Sequence, residues 1–133
     1  MKINLVKKEN DLFRNDFKKQ LIKSLSSAKF ILGPDVKKLE DNLSNYIGCK
    51  YSIAVSSGTD ALLLSLMTIN IKPGDEIITT PFTWISNVEV IKLLKAKPVF
   101  VDIDKDTFNL DFNLIKKKIT KKTKAIMLIN VLG

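Results

Sequence analysis

The stretch YSIAVSSGTDALLLSLMTINIKPGDEIITTPFTWISNVEVIKLLKAKPVFVDID, residues 51–104, decides the fold. It contains three short apolar runs, Tyr51–Val55, Glu76–Thr80 and Pro98–Val101. Each is too short for a typical helix, and runs of this kind read as strands buried on both faces. Between them, Thr59–Asn70 and Thr83–Lys95 read as helices, and Pro73-Gly74-Asp75 is a turn by composition. Strand and helix alternate, which predicts an α/β layered architecture: a mostly parallel sheet with helices on both faces.

Toward the C-terminus the pattern continues. NLDFNLIKKKIT predicts a short helix from Asp111 onward, and Lys124–Val131 predicts a fourth buried strand. Toward the N-terminus it changes. Leu12, Phe13, Phe17, Leu21, Ile22 and Leu25 recur at helical spacing among lysines, which predicts an amphipathic helix over Asp11–Leu25. After the Gly33-Pro34 turn, Val36, Leu39, Leu43 and Tyr46 mark a second helix, with Pro34 suited to its first turn and Gly48 to its C-terminal cap.

The 133 residues are 45% apolar, enough for a real core and within the common size of one domain. No run of 18 or more apolar residues occurs, and MKINLVKKEN lacks the apolar core and cleavage site of a secretory signal, so the expected location is cytoplasmic and no membrane partner is expected. Histidine is absent, which excludes Ser-His and Cys-His catalytic pairs and the familiar zinc spacings; no metal is expected. The single cysteine, Cys49, has no partner for an internal disulfide and no activating neighbour, and is expected to pack as a small apolar residue. The charge of +8 comes from 22 basic against 14 acidic residues. The lysines are scattered in pairs, as on solvated helix faces, and Arg14 is the only arginine, so no nucleic-acid partner is expected.

In a parallel α/β sheet, ligands bind beyond the carboxyl ends of the strands. The loops to watch are therefore 56–59, 80–84 and 102–106. In the first, Val55-Ser56-Ser57-Gly58-Thr59-Asp60 runs from a predicted strand into a helix through small residues. Free amides at a helix start bind phosphate, Gly58 allows close approach of an anion, and the Thr59 hydroxyl adds a donor. Ser-Gly-Thr before a helix is equally an ordinary cap. In the second loop, Thr80-Pro81-Phe82-Thr83-Trp84, the only tryptophan could stack on a flat heterocycle or could be a core or interface aromatic. In the third, Asp102, Asp104 and Asp106 could ligate a metal, but turn formation and capping are the expected roles because no further ligands follow.

Taken in order, the blocks ILGPDVKKLEDNLSNYIG, YSIAVSSGTDALLLSL, IKPGDEIITTPFTWISNVEVIKLLKAKPVFVDID and TFNLDFNLIKKKITKKTKAIMLINVLG resemble the DegT/DnrJ/EryC1/StrS family of sugar aminotransferases, with fold type I, aspartate-aminotransferase-like architecture. The resemblance implies residues 1–33 as an N-terminal helical arm and 34–133 as the first part of a large domain that binds pyridoxal 5'-phosphate. It implies that Gly58 and Thr59 bind the cofactor phosphate and that Trp84 stacks on the pyridine ring. The loop around Gly33-Pro34 would lie near the active site. Asn130 stands where many relatives have His or Ser. The aspartate that pairs with the pyridine nitrogen and the Schiff-base lysine would both lie beyond Gly133, so the chain as it stands is an N-terminal fragment, expected to be inactive alone.

The implied activity of the full-length protein is transfer of an amino group, from glutamate as donor, to a keto group on a nucleotide-linked sugar, in amino-sugar and surface polysaccharide synthesis. A homodimer is the expected assembly. Two further readings stay open: a cofactor-dependent sugar dehydratase of the same family, and a non-catalytic fragment that associates with other subunits. A nicotinamide-binding domain is disfavoured because 56–60 lacks the Gly-x-Gly-x-x-Gly spacing.

Overall fold

The computed structural model describes residues 5–131. The chain divides into two compact units, Met1–Ala54 and Val55–Gly133.

The first unit holds α1 (Leu5–Ser27) and α2 (Pro34–Ile47). The expected helix at Asp11–Leu25 is present and longer at both ends. Its apolar stripe, from Leu12 through Leu25, is exposed. Between the helices the chain turns sharply: a Cβ at Gly33 would collide with the carbonyl oxygen of Lys29, so only glycine fits there. Pro34 opens α2, where its missing N–H costs nothing, and Gly48 closes it in the left-handed region at φ 76°. The Gly48 and Cys49 amides then donate to the Ser44 carbonyl, at 2.9 and 3.0 Å, satisfying the frayed end of the helix.

Two expectations fail just beyond α2. Tyr51–Val55 is not a strand, and Tyr51 and Ile53 are 73% and 78% exposed. An apolar run favours extended backbone, but a strand exists only as one side of a ladder; among the described residues this segment pairs with none. Its one fixed amide, Ala54 N, donates to Glu40 Oε1 at 2.9 Å. Cys49 is likewise exposed rather than packed, its thiol donating to the Tyr51 carbonyl at 3.1 Å.

The second unit alternates α3 (Gly58–Thr68), β1 (Glu76–Thr79), α4 (Ser86–Leu93), β2 (Lys97–Phe100), α5 (Phe112–Lys118) and β3 (Thr123–Ile126). The strands form one parallel sheet in the order β2-β1-β3, with Ile77 opposite Pro98 on one side and Ala125 on the other. β1 lies in the middle and is buried along its whole length. Side chains alternate across a strand, so the neighbours Ile77 and Ile78 enter different cores. Ile77 joins Leu66 of α3, Val90 and Ile91 of α4, and Ala96; Ile78 joins Val101, Leu110 and Ile115 of α5. Helices therefore cover both faces, as the alternation predicts.

At the amino end of the sheet Glu76 ties three segments together. Its side chain is nearly buried, accepting from Thr120 Oγ1 at 2.6 Å and from Lys97 Nζ at 3.1 Å. These two donors, Thr120 first, hold its carboxyl below the usual range. The predicted last strand is shortened: β3 stops at Ile126, Met127 N still donates to the Ile78 carbonyl at 2.8 Å, and residues 128–131 leave the sheet. Among the described residues no helix is long and apolar enough to cross a membrane.

Candidate functional site at the carboxyl ends of the strands

The loop after β1 and the segment after β3 lie side by side because their strands are neighbours running the same way. Pro81, Phe82, Thr83 and Trp84 on one side, and Ile129, Asn130 and Val131 on the other, line an open groove of about 590 Å³. Helix α4 begins at Ser86 rather than at Thr83, so Trp84 stays on the loop, and its side chain is 79% exposed. A core role for this tryptophan is thereby ruled out within the unit. The groove is mostly apolar with one carboxamide, Asn130, in its wall.

The 56–60 loop is built as a cap. Ser57, in extended backbone, accepts from Asp60 N at 3.1 Å and its carbonyl accepts from Ala61 N at 3.0 Å. The Asp60 carboxylate accepts from the hydroxyls of Ser56 and Ser57, which hold it below the usual carboxylate range, Ser56 foremost. Gly58 and Thr59 make the first residues of α3, and among the described residues no acceptor takes their amides. A Cβ built at Gly58 meets nothing within 4 Å, so packing within the chain does not demand glycine there. Two free amides, an exposed Thr59 and open space above Gly58 suit a phosphate. The anionic Asp60 opposes one, and the serine hydroxyls donating to it soften that opposition.

Of the three cofactor-binding candidates, Trp84 lines the groove together with Asn130, while Gly58 and Thr59 are not among its lining residues. Both loops nevertheless lead into helices, α3 and α4, that pack into the same core. The acidic loop takes the turn-forming role. Asp104 Oδ1 accepts from Thr107 N at 2.8 Å, Thr107 Oγ1 at 3.0 Å and Asp106 N at 3.1 Å, which hold its carboxyl low, the Thr107 backbone foremost. Asp111 caps α5 by accepting from Asn113 N at 2.8 Å.

Sequence reasoning missed the bracing of the groove. Asn87 is 5% exposed and donates through Nδ2 to Thr83 Oγ1 at 3.4 Å. Phe82 stacks against Phe108 with ring centroids 6.1 Å apart. The four-residue spacing of Thr83 and Asn87 was the available signal.

An aromatic-walled groove at the strand ends of a layered parallel α/β unit lies where such sheets generally bind ligands. The model of the DegT/DnrJ/EryC1/StrS aminotransferase family matches residues 11–133, and the chain belongs to that family. It is 47% identical over 109 residues to the UDP-2-acetamido-2-deoxy-3-oxo-D-glucuronate aminotransferase of Pseudomonas aeruginosa, covering 82% of this chain and 30% of that one. The structure of DesV from S. venezuelae, in complex with a ketimine intermediate, superposes with a TM-score of 0.91 at 31% identity, over 96% of this chain and 34% of that one. NtdA from Bacillus subtilis with bound cofactor PMP superposes with a TM-score of 0.86 at 34% identity, over 90% and 27%. The chain thus spans about a third or less of the length of these relatives.

Proposed function

We propose that the protein, at its full natural length, is a pyridoxal-phosphate-dependent aminotransferase that converts a keto group on a nucleotide-linked sugar to an amine, with glutamate as donor. The observation that carries this is the pair of unpartnered amides at Gly58 and Thr59 on a unit that also presents a solvated indole, in a chain belonging to a sugar aminotransferase family. Bound pyridoxal phosphate would supply the electron sink that lets the amino group leave one carbon and join another. In this reading the Gly58 and Thr59 amides, with the Thr59 hydroxyl, hold the phosphate at the positive end of α3. Trp84 covers one face of the ring, fixing its plane and excluding water from that side. Asn130 offers a hydrogen bond from the opposite wall of the groove.

The same reading takes residues 1–33 as an arm and 34–133 as the first part of the cofactor-binding domain. It places the Schiff-base lysine and the pyridine-nitrogen aspartate after Gly133, so that residues 1–133 alone carry out no amino transfer. A cytoplasmic homodimer making amino sugars for surface polysaccharide completes it. The support for a nucleotide-sugar substrate is the UDP-linked substrate of the Pseudomonas aeruginosa relative.

The test is to incubate the full-length protein with pyridoxal phosphate, glutamate and UDP-linked keto sugars. Mass spectrometry would follow the aminated sugar nucleotide and an equal amount of 2-oxoglutarate. Failure to bind the cofactor, together with no exchange on any keto sugar offered, would refute the proposal.

A further inference from the structure

The turn that carries Trp84 is held firmly while the indole itself is free. Among the described residues no hydrogen bond or ring contact fixes that side chain, so its plane depends on where the backbone puts it. Before Trp84 the turn is fixed three times: Phe82 N donates to Thr80 Oγ1 at 3.2 Å, Thr83 N donates to the Pro81 carbonyl at 3.0 Å, and the Phe82 ring lies on Phe108. Among the described residues one side-chain bond ties the residue next to Trp84 to the following helix, and that is Asn87 Nδ2 to Thr83 Oγ1, at 3.4 Å. Asn87 sits in the first turn of α4 and is 5% exposed. A carboxamide stripped of water is a poor choice for packing alone, where an apolar side chain of its size would serve better.

We infer that Asn87 is a positioning residue: through Thr83 Oγ1 it fixes the end of the turn, and so the plane that Trp84 presents to the ring stacked on it. Asn87 does not itself touch that ring. The inference rests on the role proposed for Trp84 above, and its test separates the two.

The test uses the full-length protein freed of cofactor, with pyridoxamine 5'-phosphate as the probe, since its binding needs no covalent link. Affinity is measured by equilibrium dialysis, and the circular dichroism of the bound probe's absorption band reports how the ring is held. Trp84→Ala should weaken binding about tenfold, the upper range for one aromatic stack. Asn87→Ala and Thr83→Val should each weaken it about three- to fivefold and alter the dichroic band, and the double variant should be no worse than either single one. Asn87→Asp, which can accept from the Thr83 hydroxyl, should restore both readouts. A purely structural Asn87 would lower the melting temperature and leave affinity and band as in the wild type. That result, with Trp84→Ala still weakened, overturns the inference alone. Wild-type binding by Trp84→Ala overturns the stacking role and this inference with it. Should Asn87→Ala not fold, Thr83→Val decides alone, and wild-type affinity there overturns the inference.

Discussion

Replacing Gly58 with alanine should move stability and cofactor affinity in opposite directions. The residue occupies the first position of α3, and the added methyl group would meet no atom within 4 Å. Its φ is not positive, so alanine fits the backbone without strain. Alanine restricts the unfolded chain more than glycine and favours helix, which together should stabilise the cofactor-free protein by about 0.5–1 kcal/mol. The same methyl group would stand in the space through which an anion reaches the Gly58 and Thr59 amides. Loss of one hydrogen bond to a charged group costs about 1.5–3 kcal/mol, or roughly ten- to hundredfold in affinity. The assay pairs urea denaturation of the cofactor-free, full-length protein with titration by pyridoxamine 5'-phosphate. A gain in stability with unchanged affinity would show that these amides do not hold the phosphate. A loss of stability would show that the space above Gly58 is not open.

Ile77→Ala and Ile78→Ala should each cost about 2–5 kcal/mol, the range for truncating a buried isoleucine. Though adjacent in sequence they serve separate cores, so their effects in the double variant should add to within about 0.5 kcal/mol, whereas Ile77→Ala and Ile91→Ala should not add; denaturant titration decides. Thr79 is fully buried and its Oγ1 has no partner among the described residues, so Thr79→Val should be neutral or stabilise by up to about 1–2 kcal/mol; a loss of stability would reveal a bonded hydroxyl. Because Thr120 and Lys97 lower the Glu76 pKa in the folded state, its ionised form stabilises the fold above the unfolded carboxylate value of about 4.3. That contribution disappears as pH falls through the lowered folded value, and Glu76→Gln should flatten the acid limb of a melting-temperature profile; an unchanged limb would rule out the clamp.

The layered architecture was legible because each of its signals is local. Glu76–Thr80 and Pro98–Val101 are short apolar runs bounded by turns, Gly48 and Pro34 mark the ends of α2, and each acts on the backbone within a few residues. Tyr51–Val55 misled because the same local signal says nothing about a partner. The family resemblance was legible for a related reason: it rests on several ordered blocks at matching separations rather than on any single residue. The groove was only half legible. That Trp84 ends the loop after β1 was read from the sequence, but its neighbour Asn130 is 46 residues away along the chain. Nothing in the spacing of those two residues reveals that β1 and β3 are adjacent in the sheet.

The Glu76 clamp also bears on the order in which the sheet assembles. One carboxylate closes two loops of unequal length, 21 residues to Lys97 and 44 to Thr120. The longer closure costs about 0.6 kcal/mol more in chain entropy. It also waits on α5, which lies between β2 and β3. The β1–β2 pair should therefore form ahead of the β1–β3 pair, leaving the far side of β1 as a briefly open edge during folding. An exposed apolar edge is where chains stick to one another. Substitutions that slow docking of α5 or β3 should consequently lower the yield of soluble protein more than their effect on final stability would indicate.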